Sequence, residues 1–168
     1  MDDLKSAVAD IPDFPKPGIL FRDISPLLRN HFGSTIEAID ALFSDVEWEE
    51  VDVVAGIESR GFILAAALAE RRGKGFVPIR KKGKLPPPVL DVAYDLEYGS
   101  GVLEMQTGEG RLMLIDDVLA TGGTLGASVA LAARAGYTLH GVGVLIDLGL
   151  VPGLRCGDFE PRAALRYG

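Results

Sequence analysis

Short apolar runs alternating with helix-length stretches constrain this chain more than any other feature. Residues 51–55 (VDVVA), 75–79 (GFVPI), 111–115 (RLMLI) and 139–146 (LHGVGVLI) have the length and composition of buried strands. Residues 62–72 and 124–135, rich in alanine and leucine, follow the first and third of them as helices. A strand–helix–strand unit returns parallel to itself, because the crossover must span the sheet. The expected fold is therefore α/β: a doubly wound, mainly parallel sheet flanked by helices. With 168 residues there is room for one domain, 1–168, and one core.

The flanking segments carry weaker signals. The first ten residues suggest a short amphipathic helix, and residues 11–18 hold three prolines and a glycine, which suits a surface arm. Ser25-Pro26 marks a helix start, with Ser25 able to cap and Pro26 in the first turn. The spacing of Ile36, Ile39, Leu42 and Phe43 predicts another helix. Residues 89–106 should be extended or a hairpin turning near Tyr98-Gly99-Ser100-Gly101. The C-terminal stretch shows little regular pattern.

The formal charge of −7 opposes non-specific attraction to nucleic acid or an anionic membrane. No apolar run approaches the roughly 20 residues needed to span a bilayer, and the first residues do not resemble a leader. One cysteine, Cys156, permits no intrachain disulfide. These features set the expectation of a cytoplasmic protein with neither nucleic acid nor membrane as partner.

In a parallel sheet, ligands sit beyond the carboxyl ends of the strands. After residue 115 the chain reads Asp116-Asp117-Val118-Leu119-Ala120-Thr121-Gly122-Gly123-Thr124. Its glycines let backbone amides close on an anion at the following helix N-terminus. The pattern lacks the lysine of a GxxxxGK[ST] loop and the spacing of GxGxxG. Carboxylates would repel a phosphate, so Asp116 and Asp117 suit sugar hydroxyls or a hydrated divalent cation on the other side of the same ligand. A ribose phosphate meets both demands. The bland alternative is a capped turn with solvated aspartates. Gly56-Ile57-Glu58-Ser59-Arg60-Gly61 and the cluster Arg80-Lys81-Lys82-Gly83-Lys84 offer further anion contacts in an acidic chain, or else salt-bridged and solvated surface.

These residues resemble the type I phosphoribosyltransferases. The narrower resemblance, carried by Phe14-Pro15-Lys16-Pro17-Gly18-Ile19-Leu20-Phe21-Arg22-Asp23-Ile24-Ser25-Pro26, Ser59-Arg60-Gly61-Phe62, Arg80 to Pro86 and Leu96-Glu97-Tyr98-Gly99, is to the adenine phosphoribosyltransferase family. It implies transfer of a phosphoribosyl group from phosphoribosyl pyrophosphate to adenine, giving AMP and pyrophosphate with Mg2+, in a cytoplasmic homodimer. It also implies an N-terminal arm and base-binding hood over 1–34 and a mobile closing loop over 80–101.

By the same resemblance, Asp116 and Asp117 bind ribose hydroxyls, and Ala120, Thr121, Gly122, Gly123 and Thr124 hold the 5′-phosphate. Ser59, Arg60, Lys81 and Lys84 meet pyrophosphate, with magnesium carried by the substrate and reaching Asp116 or Asp117 through water at most. Leu20, Phe21 and Arg22 form the adenine site, with Phe21 stacking; without the motif, Phe21 would be read as core. Glu97 would act as general acid or base, Tyr98 would take part in loop closure, and Glu104 would be structural. A phosphoribosyltransferase for another purine and a non-catalytic sensor of phosphoribosyl pyrophosphate are the rival readings.

Overall fold

The computed structural model describes residues 2–95 and 99–168. Short elements come first: α1 (Asp2–Ser6), the strands β1 (Ala9–Pro12) and β2 (Leu20–Asp23), then α2 (Ser25–Asn30), α3 (Phe32–Asp40) and α4 (Asp45–Glu49). The alternating core follows as β3 (Val53–Ile57), α5 (Arg60–Arg72), β4 (Gly75–Lys81), β5 (Val89–Asp95), β6 (Ser100–Gln106), β7 (Gly110–Leu119), α6 (Gly123–Ala135), β8 (Tyr137–Asp147) and β9 (Arg162–Arg166).

Among the described residues, seven strands form one sheet in the order β5-β6-β4-β3-β7-β8-β9. From β4 to β9 every pairing is parallel, whereas β5 and β6 form an antiparallel hairpin attached to β4 through Arg80↔Glu104 and Lys81↔Leu103. The doubly wound expectation holds, and strand alternation explains it. On β7, Met113 and Ile115 face one layer with Ile39, Phe43, Leu64 and Leu68. Leu112 and Leu114 face the other, against Leu125, Leu131 and the hairpin residues Leu103 and Met105. Each such fully buried side chain contributes roughly 1.5–3 kcal/mol.

Several boundaries differ from expectation for identifiable reasons. The first ten residues are not one helix: α1 ends at Ser6, and Ala9 to Pro12 pair with β2, with Ile11 opposite Phe21. Ser25 does not cap α2; the Asp23 carboxylate accepts from its amide at 2.9 Å and its hydroxyl at 2.6 Å. The C-terminal segment does form a strand, β9, parallel to β8. β3 runs to Ile57, so Gly56 lies inside the strand, where an added Cβ would stand 2.7 Å from the Ala65 side chain of α5. β7 runs to Leu119, with Asp116↔Val144 and Val118↔Ile146 in register, so both aspartates sit on a strand rather than in a loop.

Candidate active site

From β3 the chain crosses through α5 to β4 on one side, while β7 on the other side of β3 leads through α6 to β8. The winding reverses between β3 and β7, and a ligand crevice opens at such a reversal. A cavity of about 380 Å³ lies there, lined by Ser59, Arg60, Lys81, Asp116, Asp117, Ala120 and Thr124. Residues from three separate stretches of sequence thus converge. Glu58 and Tyr94, to which sequence reasoning gives no role, line it too.

Asp116 and Asp117 are both buried, at 7 % and 8 % exposure. Burial first, and the neighbouring Asp117 charge second, push the Asp116 carboxyl well above the usual aspartate range. Arg60 Nε stands 2.8 Å from Asp117 Oδ2. That oxygen is buried and accepts no hydrogen bond from any described group, so the approach is ionic without aligned N–H geometry. Gly61 has a steric reason: an added Cβ would fall 2.7 Å from Asp116 Oδ1.

The loop that leads into α6 folds as its glycines require. Gly122 caps α6 with φ +89°, a left-handed conformation costly for other residues, and an added Cβ there would meet Leu154 at 2.7 Å. A small cavity of about 70 Å³ opens at this helix start, lined by Ala120, Thr121, Gly122 and Thr124. Gly123 serves differently, since a Cβ would come within 2.9 Å of the Asp95 carbonyl. It admits the end of β5 against α6.

The basic segment is organised by two glutamates. Glu104, 3 % exposed, accepts backbone N–H bonds from Gly83 at 2.8 Å, Lys84 at 2.9 Å and Leu85 at 2.5 Å. These bonds, led by Gly83, hold its carboxyl below the usual glutamate range against the opposing effect of desolvation. This is the structural role expected of it. Glu58 receives Lys84 Nζ at 2.5 Å, Arg80 Nε at 3.1 Å and the Lys81 amide at 3.2 Å. Desolvation pushes its carboxyl up, but Lys84, the Lys81 amide and Arg80 together bring it below the ordinary value. Lys84 is thus turned onto Glu58, while the Lys81 ammonium is exposed and forms no ion pair among the described residues.

A second, more apolar cavity of about 420 Å³ adjoins the first and is lined by Ile11, Phe14, Phe21, Asp23, Ser25 and Arg60. Phe21 meets Phe14 edge-to-face at 5.2 Å, and the Arg60 guanidinium lies 5.1 Å from the Phe21 centroid. Of the three expected base-site residues, only Phe21 lines this space. Leu20 is half exposed, and the Arg22 side chain is engaged by Asp10 and Tyr167. Ile11 and Phe14 escape sequence reasoning because edge-strand and proline-flanked apolar residues carry no periodic signal. Glu97 and Tyr98 lie outside the described residues.

The match to known proteins agrees with this geometry. Residues 33–149 match the family model described as phosphoribosyl transferase domain. An adenine phosphoribosyltransferase from Bdellovibrio bacteriovorus is 49% identical over 165 residues, covering 98% of this chain and 99% of that protein. The crystal structure of adenine phosphoribosyltransferase from Thermoanaerobacter pseudethanolicus superposes with TM-score 0.89 at 37% identity, covering 99% of each chain. The Saccharomyces cerevisiae adenine phosphoribosyltransferase, crystallised with an imino-altritol bisphosphate and adenine, gives TM-score 0.85 at 33% identity over 96% of this chain and 95% of that one. No helix among the described residues is long and apolar enough to cross a membrane.

Proposed function

We propose a division of labour within the site of this chain, which belongs to the adenine phosphoribosyltransferases of the phosphoribosyl transferase domain family. It transfers the phosphoribosyl group of phosphoribosyl pyrophosphate to adenine, forming AMP and pyrophosphate. The observation that supports the assignment of roles is the juxtaposition of the two cavities, one acidic and basic, one aromatic, with Arg60 lining both.

The 5′-phosphate sits in the small cavity at the start of α6, held by the loop from Ala120 through Thr121, Gly122 and Gly123 to Thr124, where amides and the helix dipole favour an anion. Asp116 and Asp117 take the ribose hydroxyls, and ligand hydroxyls satisfy the buried Asp117 Oδ2. Ser59, Arg60, Lys81 and Lys84 meet the pyrophosphate; Lys84 does so by exchanging Glu58 for the phosphate oxygens. Adenine stacks on Phe21, with backbone groups of Leu20 and Arg22 reading its edge.

Displacement at the anomeric carbon builds positive charge in the ribose and negative charge on the departing pyrophosphate. Fixed cations on one side and carboxylates on the other lower the cost of that separation. Glu97 serves as acid or base toward the adenine ring proton, and Tyr98 takes part in loop closure over 80–101. An alanine variant at Glu97 with unchanged turnover would remove that role.

Among the described residues no three carboxylate, histidine or cysteine side chains cluster as a metal cage. The unsatisfied buried oxygen of Asp117 suits a water of Mg2+ arriving with the substrate. When bound, the ion would neutralise the leaving phosphates. The buried free thiol of Cys156 fits a reducing, cytoplasmic setting. A homodimer is the assembly we expect, testable by light scattering.

The direct test offers phosphoribosyl pyrophosphate and Mg2+ with adenine, hypoxanthine, guanine, xanthine and uracil separately. AMP from adenine alone is the expected outcome. Turnover of another base would overturn the assignment of the base pocket, and tight binding without turnover would favour a sensor.

A further inference from the structure

Tyr167 follows β9 and sits behind the hood. Two cations approach its ring: Arg22 Cζ at 4.1 Å and Lys5 Nζ at 4.5 Å from the centroid. Lys5 also donates to the Arg166 carbonyl at 2.6 Å, and the Tyr167 amide donates to the Asp147 carbonyl at 2.9 Å. The ring packs against the buried cluster that contains Leu4, Val8 and Leu165. It therefore joins the body of the sheet to β2 and to the segment leading into β1.

Strand geometry gives this contact a consequence. Side chains alternate across a strand, so the face of β2 opposite Arg22 carries Phe21. Arg22 is pinned from two sides, by the Tyr167 ring and by Asp10 Oδ1 at 2.5 Å. Phe21, on the cavity side, has its edge contact with Phe14, the Arg60 guanidinium 5.1 Å from its centroid and its pairing opposite Ile11. Among the described residues β1 and β2 form a sheet of their own, so no ladder bond to the main sheet fixes their placement.

We propose that Tyr167 is a positioning residue for the base site: by stacking on Arg22 it sets where β2, and hence the Phe21 ring, stands relative to Arg60 and the ribose cavity. Nothing in the local sequence marks Tyr167 for this; it lies 145 positions from Arg22. The inference rests on the reading of the Phe21 cavity as the adenine site. Tyr167 touches no substrate and acts only through Arg22.

Tyr167→Leu keeps apolar volume against the core but offers no ring face to a cation, and Tyr167→Phe keeps the face without the hydroxyl. The Leu variant is expected to raise KM for adenine about fivefold, the scale of one cation–π contact, with kcat and KM for phosphoribosyl pyrophosphate unchanged. The Phe variant is expected to match wild type. Hydrogen exchange supplies a second readout: amides of residues 9–23 should exchange faster in the Leu variant, and those of β7 and β8 at the wild-type rate.

An unchanged KM for adenine, an equal rise for both substrates, or a Phe variant as impaired as Leu would each overturn the proposal. If the Leu variant does not fold well enough to assay, unchanged exchange over residues 9–23 in Arg22→Met, which removes the cation from the Tyr167 ring, would overturn it. Wild-type protein that fails to use adenine would instead sink the underlying reading, so the two failures are distinguishable.

Discussion

Arg60 Nε and Asp117 Oδ2 stand 2.8 Å apart, yet the buried oxygen accepts no hydrogen bond from any described group. The pair is electrostatically matched but geometrically unfinished. A ribose hydroxyl can supply the missing donor to Asp117, and a phosphate oxygen can draw the Arg60 fork into aligned contact.

Arg60→Met should therefore raise KM for phosphoribosyl pyrophosphate by roughly tenfold to a hundredfold, the cost of one or two charge-assisted hydrogen bonds. Arg60→Lys should recover only part, because an ammonium lacks the planar fork. Steady-state kinetics at saturating adenine would measure this; a wild-type KM in the Met variant would contradict the assignment.

Asp116 sets activity against stability. The unfolded chain releases this proton near the ordinary aspartate value of 3.8, whereas the folded chain keeps it to higher pH. Between those values the unfolded state binds fewer protons, so folding stability contributed by Asp116 falls as pH rises. Asp116→Asn should then gain about 1 kcal/mol at neutral pH, a Tm rise of roughly 2–4 °C, and lose affinity for phosphoribosyl pyrophosphate. The Tm gain should shrink as pH falls toward about 4. Calorimetry across pH, with and without substrate, checks both; a lower Tm for Asn at neutral pH would count against it.

Gly61→Ala should be harsher than a methyl group suggests. The new carbon would meet Asp116 Oδ1 at 2.7 Å, in a site walled by β7. Overpacking of this kind costs about 1–3 kcal/mol and would displace the carboxyl from the ribose. A folded Ala variant with wild-type turnover would show that Asp116 is not fixed by this contact.

Glu104→Gln keeps shape but leaves one good acceptor oxygen for three amides, those of Gly83, Lys84 and Leu85. The loop carrying Lys84 should loosen, raising KM for phosphoribosyl pyrophosphate by roughly three- to tenfold while KM for adenine stays put. A change confined to adenine would be the contrary result.

Phe21→Ala should raise KM for adenine by about tenfold to a hundredfold, the worth of one aromatic–base stack. Equilibrium binding of AMP should weaken alongside it, and inorganic pyrophosphate binding should not.

Much of the site is legible in the amino-acid sequence. The run from Asp116 to Thr124 encodes its own turn through Gly122 at φ +89°, and the Ser59-Arg60-Gly61 step marks the second strand end. Local pattern nonetheless predicts a loop over residues 116–119, because paired aspartates look like turn residues; the β8 ladder overrides that preference. Ile11 and Tyr94 carry no such mark, and Phe14 and Glu58, though inside marked stretches, gain their meaning from neighbours that local pattern does not name.

The alternation of strands and helices, hence a parallel sheet, and the glycine turn into α6 are both written in the chain's local order, because periodicity and glycine geometry act over a few residues. Tertiary packing was needed to join β5 and β6 to the sheet antiparallel at its edge, to complete the other side with β9, and to gather the basic segment on Glu58 and Glu104. It is also what raises the Asp116 carboxyl well above the usual aspartate range and sets Tyr167 on Arg22. Burial and contacts between distant positions depend on how the whole chain packs, and no local window contains that information.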